Sequence, residues 1–377
     1  MINRIKTDDR CTGCNACIEI CPKGAIKLEY SNEGFWYPAI NEKCIDCGKC
    51  KQVCPVYGEN KRIKFKKPKV YAAWSNDEEN VKNSSSGGIF SCLAKCIIEQ
   101  EGVVYGAAFS KNWRVEHVRV DNKKDLVRLQ GSKYVQSFIN PNIFKTIKKD
   151  LDSGRKVLFS GTPCQTAAVG NVIGNNSKLV LVDIICHGVP SPKAWDEYLK
   201  EIQSNSKIEK VSMRYKSSGW NRFSFYVAYE DGKVNDEWFN DNFFGRAFVT
   251  NLFLRKSCTS CDFKKELRNA DISLGDFWEA ARGKHRELDN DDKGTSVVLI
   301  SSAKGEEIFR SIKDECFTKQ IPYEWVPDKT YALVRSSEEN INRNKAFSKL
   351  GRKKFSVIVK RYTQKTIMQK VIGKLKK

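Results

Sequence analysis

CTGCNACIEICP (residues 11–22) and CIDCGKCKQVCP (residues 44–55) carry one spacing, C-x-x-C-x-x-C-x-x-x-C followed by proline, written twice. A four-iron cluster needs a thiolate at each iron. Three cysteines two residues apart wrap one cluster in a tight loop, and the fourth, before proline, reaches the other cluster in two-cluster ferredoxins. Cys11, Cys14, Cys17 and Cys54 are therefore expected to bind one [4Fe-4S] cluster, and Cys44, Cys47, Cys50 and Cys21 the second. Neither half completes a site alone. Zinc takes four ligands per metal, usually as two C-x-x-C pairs, which does not account for a doubled run with its two prolines. Residues 29–40, EYSNEGFWYPAI, read as the hairpin between the halves.

Working outward, the chain has 377 residues, 40% of them hydrophobic, enough for a small domain and a large one. Eight of its fifteen cysteines lie in the doubled run. No apolar stretch nears the roughly 20 residues of a membrane span, and MINRIKTDDR has no h-region of a signal peptide. The expectation is a cytoplasmic protein whose thiols are reduced and serve as metal ligands. The net charge of +21 is concentrated at one end. Thirteen Lys and Arg and no acidic residue follow Glu339, leaving 53 basic against 45 acidic residues elsewhere. Anionic clusters would bring that body near neutrality, so nucleic acid is not an expected partner.

The division read from the pattern is a two-cluster ferredoxin domain at 1–60, a basic linker at 61–69, a main domain at 70–340 and a basic tail at 341–377. The fold class is mixed α/β or α+β, a bacterial-type ferredoxin domain followed by a larger mixed-sheet domain. Strands are predicted at 70–75, 102–110, 115–120, 156–161, 178–186, 271–278 and 295–302, and an antiparallel pair at 211–216 and 222–230. Helices are predicted at 88–100, 143–154 and 191–202, the last with a capping serine and a first-turn proline. An aromatic helix is expected around residues 238–253. In the tail, Ile367, Val371 and Leu375 recur at helical spacing beside Lys365, Lys370 and Lys374. Such a helix suits an anionic membrane surface at the inner face of the membrane, an acidic protein partner, or packing on its own chain.

Three features of the main domain can hold chemistry. SSSGG (84–88) precedes a helix, where hydroxyls and free N–H groups suit a phosphate or simply cap the helix. SGTPCQ (160–165) and CHGVPSP (186–192) end two strands, where ligands of open α/β sheets collect. Cys258 and Cys261 form a C-x-x-C pair whose other half is met by Cys164 and Cys186. By spacing alone these four fit an iron–sulfur cluster or zinc, and Cys258 with Cys261 also fits a redox dithiol. Cys92, Cys96 and Cys316 read as core residues, Cys316 in a helix. His117 reads as a strand surface residue, His285 as a loop residue, and His187 adjoins the candidate site. No G-x-G-x-x-G follows a predicted strand, so no nicotinamide site is expected.

In order, the doubled run, SSGG, GSKYVQS (131–137), GTPCQ, CHGVPS, CTSCDF and ADISLGDFW (270–278) resemble the beta subunit of coenzyme F-420 hydrogenase/dehydrogenase, a family similar to plant hydroxymethyl chlorophyll reductase. The resemblance covers residues 1 to about 300. It implies FAD and a third [4Fe-4S] cluster held by Cys164, Cys186, Cys258 and Cys261. It implies phosphate contacts from Ser86, Gly87 and Gly88, flavin contacts from Lys133, Tyr134 and Gln136, and further cofactor contacts from Gly161 and Thr162. No catalytic residue is assigned. The implied activity is an oxidoreductase that passes single electrons through clusters to FAD for two-electron chemistry on an organic substrate. The donor would be a ferredoxin-like or other redox protein. The substrate would be small or sugar-linked, since bacterial relatives resemble proteins of surface-polysaccharide gene sets, or a deazaflavin coenzyme. The alternative is an electron-transfer protein that serves a partner enzyme and has no substrate of its own.

Overall fold

The computed structural model describes residues 9–58, 67–203, 206–266, 268–327 and 330–363. Most of the expected linker and the tail positions from 364 onward lie outside these residues. The head begins with the first cysteine loop, a short helix Ala16–Glu19, and the hairpin β1 (Ile26–Tyr30) and β2 (Trp36–Ile40). The second loop and the helix Lys49–Val53 follow. Each cysteine loop turns at residues in the left-handed region, Gly13 and Asn15 in one, Asp46 and Gly48 in the other.

The main domain is built on β3 (Lys69–Ser75), β4 (Val103–Phe109), β5 (Val115–Val120), β6 (Val157–Gly161) and β7 (Leu179–Ile184). A separate antiparallel sheet, β8 (Ile208–Tyr215), β9 (Ser224–Tyr229) and β10 (Val234–Trp238), intervenes. Then β11 (Ile272–Asp276), β12 (Ser296–Ile300) and β13 (Cys316–Ile321) complete an eight-stranded sheet of order β13-β3-β12-β11-β7-β6-β4-β5. Its four central strands, β11, β7, β6 and β4, are parallel, and the flanking pairs are antiparallel. The apolar runs of β7 and β12 are buried on both faces, as central strands of a covered sheet require.

The head is fastened to the main domain by buried polar clamps. Arg255 is 1% exposed and donates to the carbonyls of Cys11 (2.8 Å) and Trp36 (3.1 Å) and to Gln136 Oε1 (3.1 Å). Its guanidinium lies 4.2 Å from the Tyr37 ring centroid. Arg343, 2% exposed, forks onto the Glu33 carboxylate at 2.7 and 2.5 Å. At the hairpin tip Gly34 has φ +83°, and a Cβ there would lie 2.2 Å from Lys193 Cβ, so glycine alone fits. Phe35 enters the core formed by the helix Pro192–Ile202, the small sheet and the helix Phe355–Thr363.

Four expectations change. The antiparallel pair gains a third strand, because residues 234–238, ending at the first residue of the expected aromatic helix, pair with β9, and only Phe243–Val249 of that helix forms. Cys316 opens β13 rather than lying in a helix, paired with Ser75 at the sheet edge. His117 is buried, stacked on Phe159 (centroids 5.0 Å, 7°), with Nε2 3.1 Å from the Ser160 carbonyl. The main core continues past 340, since Phe347, Phe355, Ile358 and Val359 pack into it; the boundary drawn there does not separate a tail. Among the described residues no helix is long and apolar enough to cross a membrane.

Candidate functional site

In the doubled run Cys54 stands near the first three cysteines, Cys11, Cys14 and Cys17, and Cys21 stands near Cys50 of the second run, itself beside Cys47. Cys11 and Cys14 are buried against the main domain, whereas Cys44 and Cys47 are exposed. Burial, reinforced by the neighbouring thiols, pushes Cys14 up to about 12 and Cys17 well above its ordinary value. A metal bound among them would supply the positive charge that lets such thiols ionise.

Cys164, Cys186, Cys258 and Cys261 come together from three loops. Cys164 sits in the first turn of the helix Pro163–Ile173, fixed by Gln165, whose Oε1 accepts from Thr162 N–H (2.9 Å) and whose Nε2 donates to Ser137 Oγ (2.9 Å). Cys186 follows β7, and the Val189 amide donates to Cys258 Sγ (3.4 Å). The four thiols line a cavity of about 40 Å³. Burial pushes Cys186 and Cys258 up to about 12 and Cys164 higher still. Cys14 of the head is among the charges that Cys164 feels. Among the described residues no three His, Cys, Asp or Glu converge tightly enough to hold one metal ion.

A second cavity, about 1200 Å³, lies beyond the C-terminal ends of β4, β6, β7 and β11. Cys186, His187 and Lys264 line both cavities. Of the expected cofactor contacts, Ser86, Gly88, Lys133, Tyr134, Gly161 and Thr162 line the large one. Lys133 donates to the carbonyls of Gln130 (2.8 Å) and Gly131 (3.3 Å), and burial pushes its amine down to about 7. Tyr134 stacks on Phe248 at 4.3 Å. His187 is held by Asn251 Oδ1 (2.6 Å), and burial lowers its basicity.

Two expected contacts sit elsewhere. Gly87 donates its N–H to Ser296 Oγ (2.9 Å) and packs on the β3 backbone, so that N–H does not face a ligand. Gln136 donates to the Thr12 carbonyl (3.1 Å) and accepts from Arg255, which places it at the junction with the head. The sequence reading missed Arg255, Arg214 and Lys216. Lys216 donates to the carbonyls of Val81 (2.7 Å), Ser86 (2.7 Å) and Lys293 (2.6 Å) and so fixes the serine-rich loop. Their one sequence signal is a cation inside an otherwise apolar or aromatic run, as in VSMRYK.

Comparison with known proteins bears on this architecture. Residues 10–58 match the model of a 4Fe-4S dicluster domain. Residues 70–144 match the N-terminal part of the coenzyme F420 hydrogenase/dehydrogenase beta subunit, and residues 154–323 match its C-terminal part. A component of the F(420)H(2) dehydrogenase of Methanosarcina mazei is 24% identical over 324 residues, 81% of this chain and 83% of that protein. A chain from the xenon-derivatised F420-reducing [NiFe] hydrogenase complex of Methanosarcina barkeri overlays with a TM-score of 0.47 at 20% identity, covering 82% of this chain and 95% of that one. The head is thus an iron–sulfur dicluster module, and the chain belongs to the family of coenzyme F420 hydrogenase/dehydrogenase beta subunits.

Proposed function

We propose that the chain is an iron–sulfur flavoprotein oxidoreductase with three [4Fe-4S] clusters and one FAD. The observation that carries this reading is the position of the Cys164–Cys186–Cys258–Cys261 cage. It stands within reach of Cys14 on one side and shares Cys186 with the large cavity on the other. The four thiols line one small cavity where a four-iron cube or a zinc ion would find four ligands, and the family resemblance favours the cube.

The residues of the large cavity fit FAD. Its volume exceeds the roughly 300–1,000 Å³ of ordinary small-molecule pockets, leaving room for a dinucleotide and a substrate. Ser86 and Gly88 lie at its wall where phosphates would be held, with Ser85 and Ser132 joined through their hydroxyls (2.7 Å). Bound clusters carry single electrons, and a bound flavin exchanges one electron with them and two with an organic molecule. The chain's own residues set the conditions. Lys133 places at the cavity wall an amine that burial lowers to about 7, and an anionic ring bound beside it would keep that amine protonated. Tyr134, Phe239 and Phe248 close an aromatic wall against water. Lys264 donates to the His187 carbonyl (3.0 Å) and fixes the turn shared by the two cavities.

The exposed nest at Cys44 and Cys47 is the proposed docking face for a ferredoxin-like or other redox protein. The relatives' names describe part of a dehydrogenase and a hydrogenase complex, which supports a protein partner and keeps the hand-off to a partner enzyme as the second reading. The open cavity favours a substrate of the chain's own, small, sugar-linked or a deazaflavin. Cys258→Ser tests the route. Flavin reduction by dithionite-reduced ferredoxin is expected to stop while the head clusters remain. Unchanged flavin reduction would overturn the reading.

A further inference from the structure

Arg214 stands out among the cations of the large cavity. It lies near the end of β8, lines the cavity, and its side chain is 4% exposed. Nη1 meets Asp276 Oδ2 at 2.5 Å. The other Asp276 oxygen accepts from Trp220 Nε1 at 3.1 Å, so that carboxylate is fully engaged. Among the described residues, Nε and Nη2 of Arg214 make no hydrogen bond of good geometry; the Tyr134 hydroxyl stands close enough to act on the guanidinium without completing the fork. These two N–H groups form one edge of the guanidinium, the two-pronged fork that matches a phosphate or carboxylate. Leaving such a pair buried and unpaired is costly, so the fork calls for an acceptor, either water or the oxyanion of a ligand.

The surroundings agree. The guanidinium lies 4.2 Å from the Phe223 ring centroid and 5.5 Å from that of Trp278, which hold its plane. Trp278 carries a second cation on its face, Arg282 at 4.4 Å, and Arg222 lies 5.2 Å from Trp238. Arg282 and Arg222 are exposed and also line the cavity, so cations run from its rim to the buried fork. Asp276, the acid nearest the fork, is already neutralised by it.

We propose that Arg214, with Arg282 and Arg222 at the rim, forms an oxyanion-binding subsite for a phosphate or carboxylate carried by a ligand of the large cavity. The subsite rests on reading that cavity as the ligand chamber. The oxyanion belongs either to the cofactor's diphosphate or to an acidic group of the substrate, and binding measurements separate these sources.

The test uses the full chain reconstituted without oxygen, with Arg214→Lys, Arg282→Gln and the paired change Arg214→Gln with Asp276→Asn, which leaves no uncompensated buried charge. Flavin-free protein is titrated with FAD and with riboflavin, which has no phosphate; flavin-loaded protein is titrated with inorganic pyrophosphate. Removing the fork is expected to weaken a phosphate-bearing probe roughly tenfold or more and to leave riboflavin unchanged. Loss in the FAD titration assigns the oxyanion to the cofactor. Unchanged FAD binding with loss of pyrophosphate assigns it to the substrate. Arg214→Lys keeps the charge without the fork and is expected to lose part of the affinity; it decides the matter if the paired variant does not fold. Arg282→Gln is expected to weaken the same probe by less than the paired change. Equal binding of FAD and pyrophosphate by wild type and variants overturns the subsite. If wild type binds no flavin, the flavoprotein reading fails, and pyrophosphate titration of the flavin-free chain still decides the subsite.

Discussion

Replacing Arg255 by methionine removes a buried cation that joins the head to the main domain. The side chain makes hydrogen bonds to Cys11 O, Trp36 O and Gln136 Oε1, and its Nη2 lies 3.8 Å from Cys11 Sγ. Hydrogen bonds from a charged donor are worth about 1.5–3 kcal/mol each, but they share one side chain and its desolvation. Methionine keeps much of the contact with Tyr37 and Phe35 while stranding two buried carbonyls. Leaving those acceptors unsatisfied costs about 1–3 kcal/mol each, and the desolvation of the guanidinium is recovered, so the net loss is about 2–4 kcal/mol. At about 1.4 kcal/mol per factor of ten, that raises the undocked population of the head roughly 30- to 10³-fold. Hydrogen exchange reads this directly. Amides of residues 11–40 should lose protection by that factor while the central strands β6 and β7 stay protected. Head protection within threefold of wild type would refute the view that Arg255 is the clamp.

Glu33→Ala strands the buried Arg343 guanidinium and is expected to destabilise head docking by about 3–5 kcal/mol, with Glu33→Gln milder; urea unfolding read at the head amides checks both. Burial holds the His117 imidazole down at about 4 against an ordinary 6.5. The unfolded chain therefore takes up a proton that the native one refuses, and this part of stability is whole above about pH 6.5 and lost as pH falls toward 4. The amount is about 3 kcal/mol at about 1.4 kcal/mol per pH unit, and His117→Gln should flatten that slope in urea melts run across the window. Lys216→Met should release the serine-rich loop, seen as faster exchange of the amides at 84–88 and weaker flavin retention, with cluster content unchanged.

Much of the framework was legible. The doubled cysteine run announced an iron–sulfur dicluster head because ligand spacing is a local property of the chain. The apolar runs of β6, β7 and β12 and the capped helix Pro192–Ile202 were likewise readable from neighbours in sequence. The gathering of Cys164, Cys186, Cys258 and Cys261 was anticipated from motif order, although spacing alone left the metal open. What stayed hidden depends on contacts between distant segments. His117 looks like an outward residue until Phe159 of β6, on the far side of β4, covers it. Gln136 sits in a motif whose neighbours line the cavity, yet Arg255, 119 residues away, draws it to the head. Gly87 belongs to a phosphate-like loop, but Ser296 takes its N–H. Arg214 shows in sequence only as a charge in a strand, and its place at the cavity wall appears once Asp276 and Trp278 surround it.

The central claim is that the cysteine cage between the head and the large cavity holds iron and sulfur. The most direct measurement is metal, sulfide and flavin analysis with electron paramagnetic resonance on the full chain, reconstituted and kept oxygen-free, beside Cys258→Ser. The account predicts about twelve irons, about twelve sulfides and about one flavin per chain, falling to about eight irons in the variant with the head signals intact. Zinc in the cage, or equal iron in wild type and variant, would contradict it.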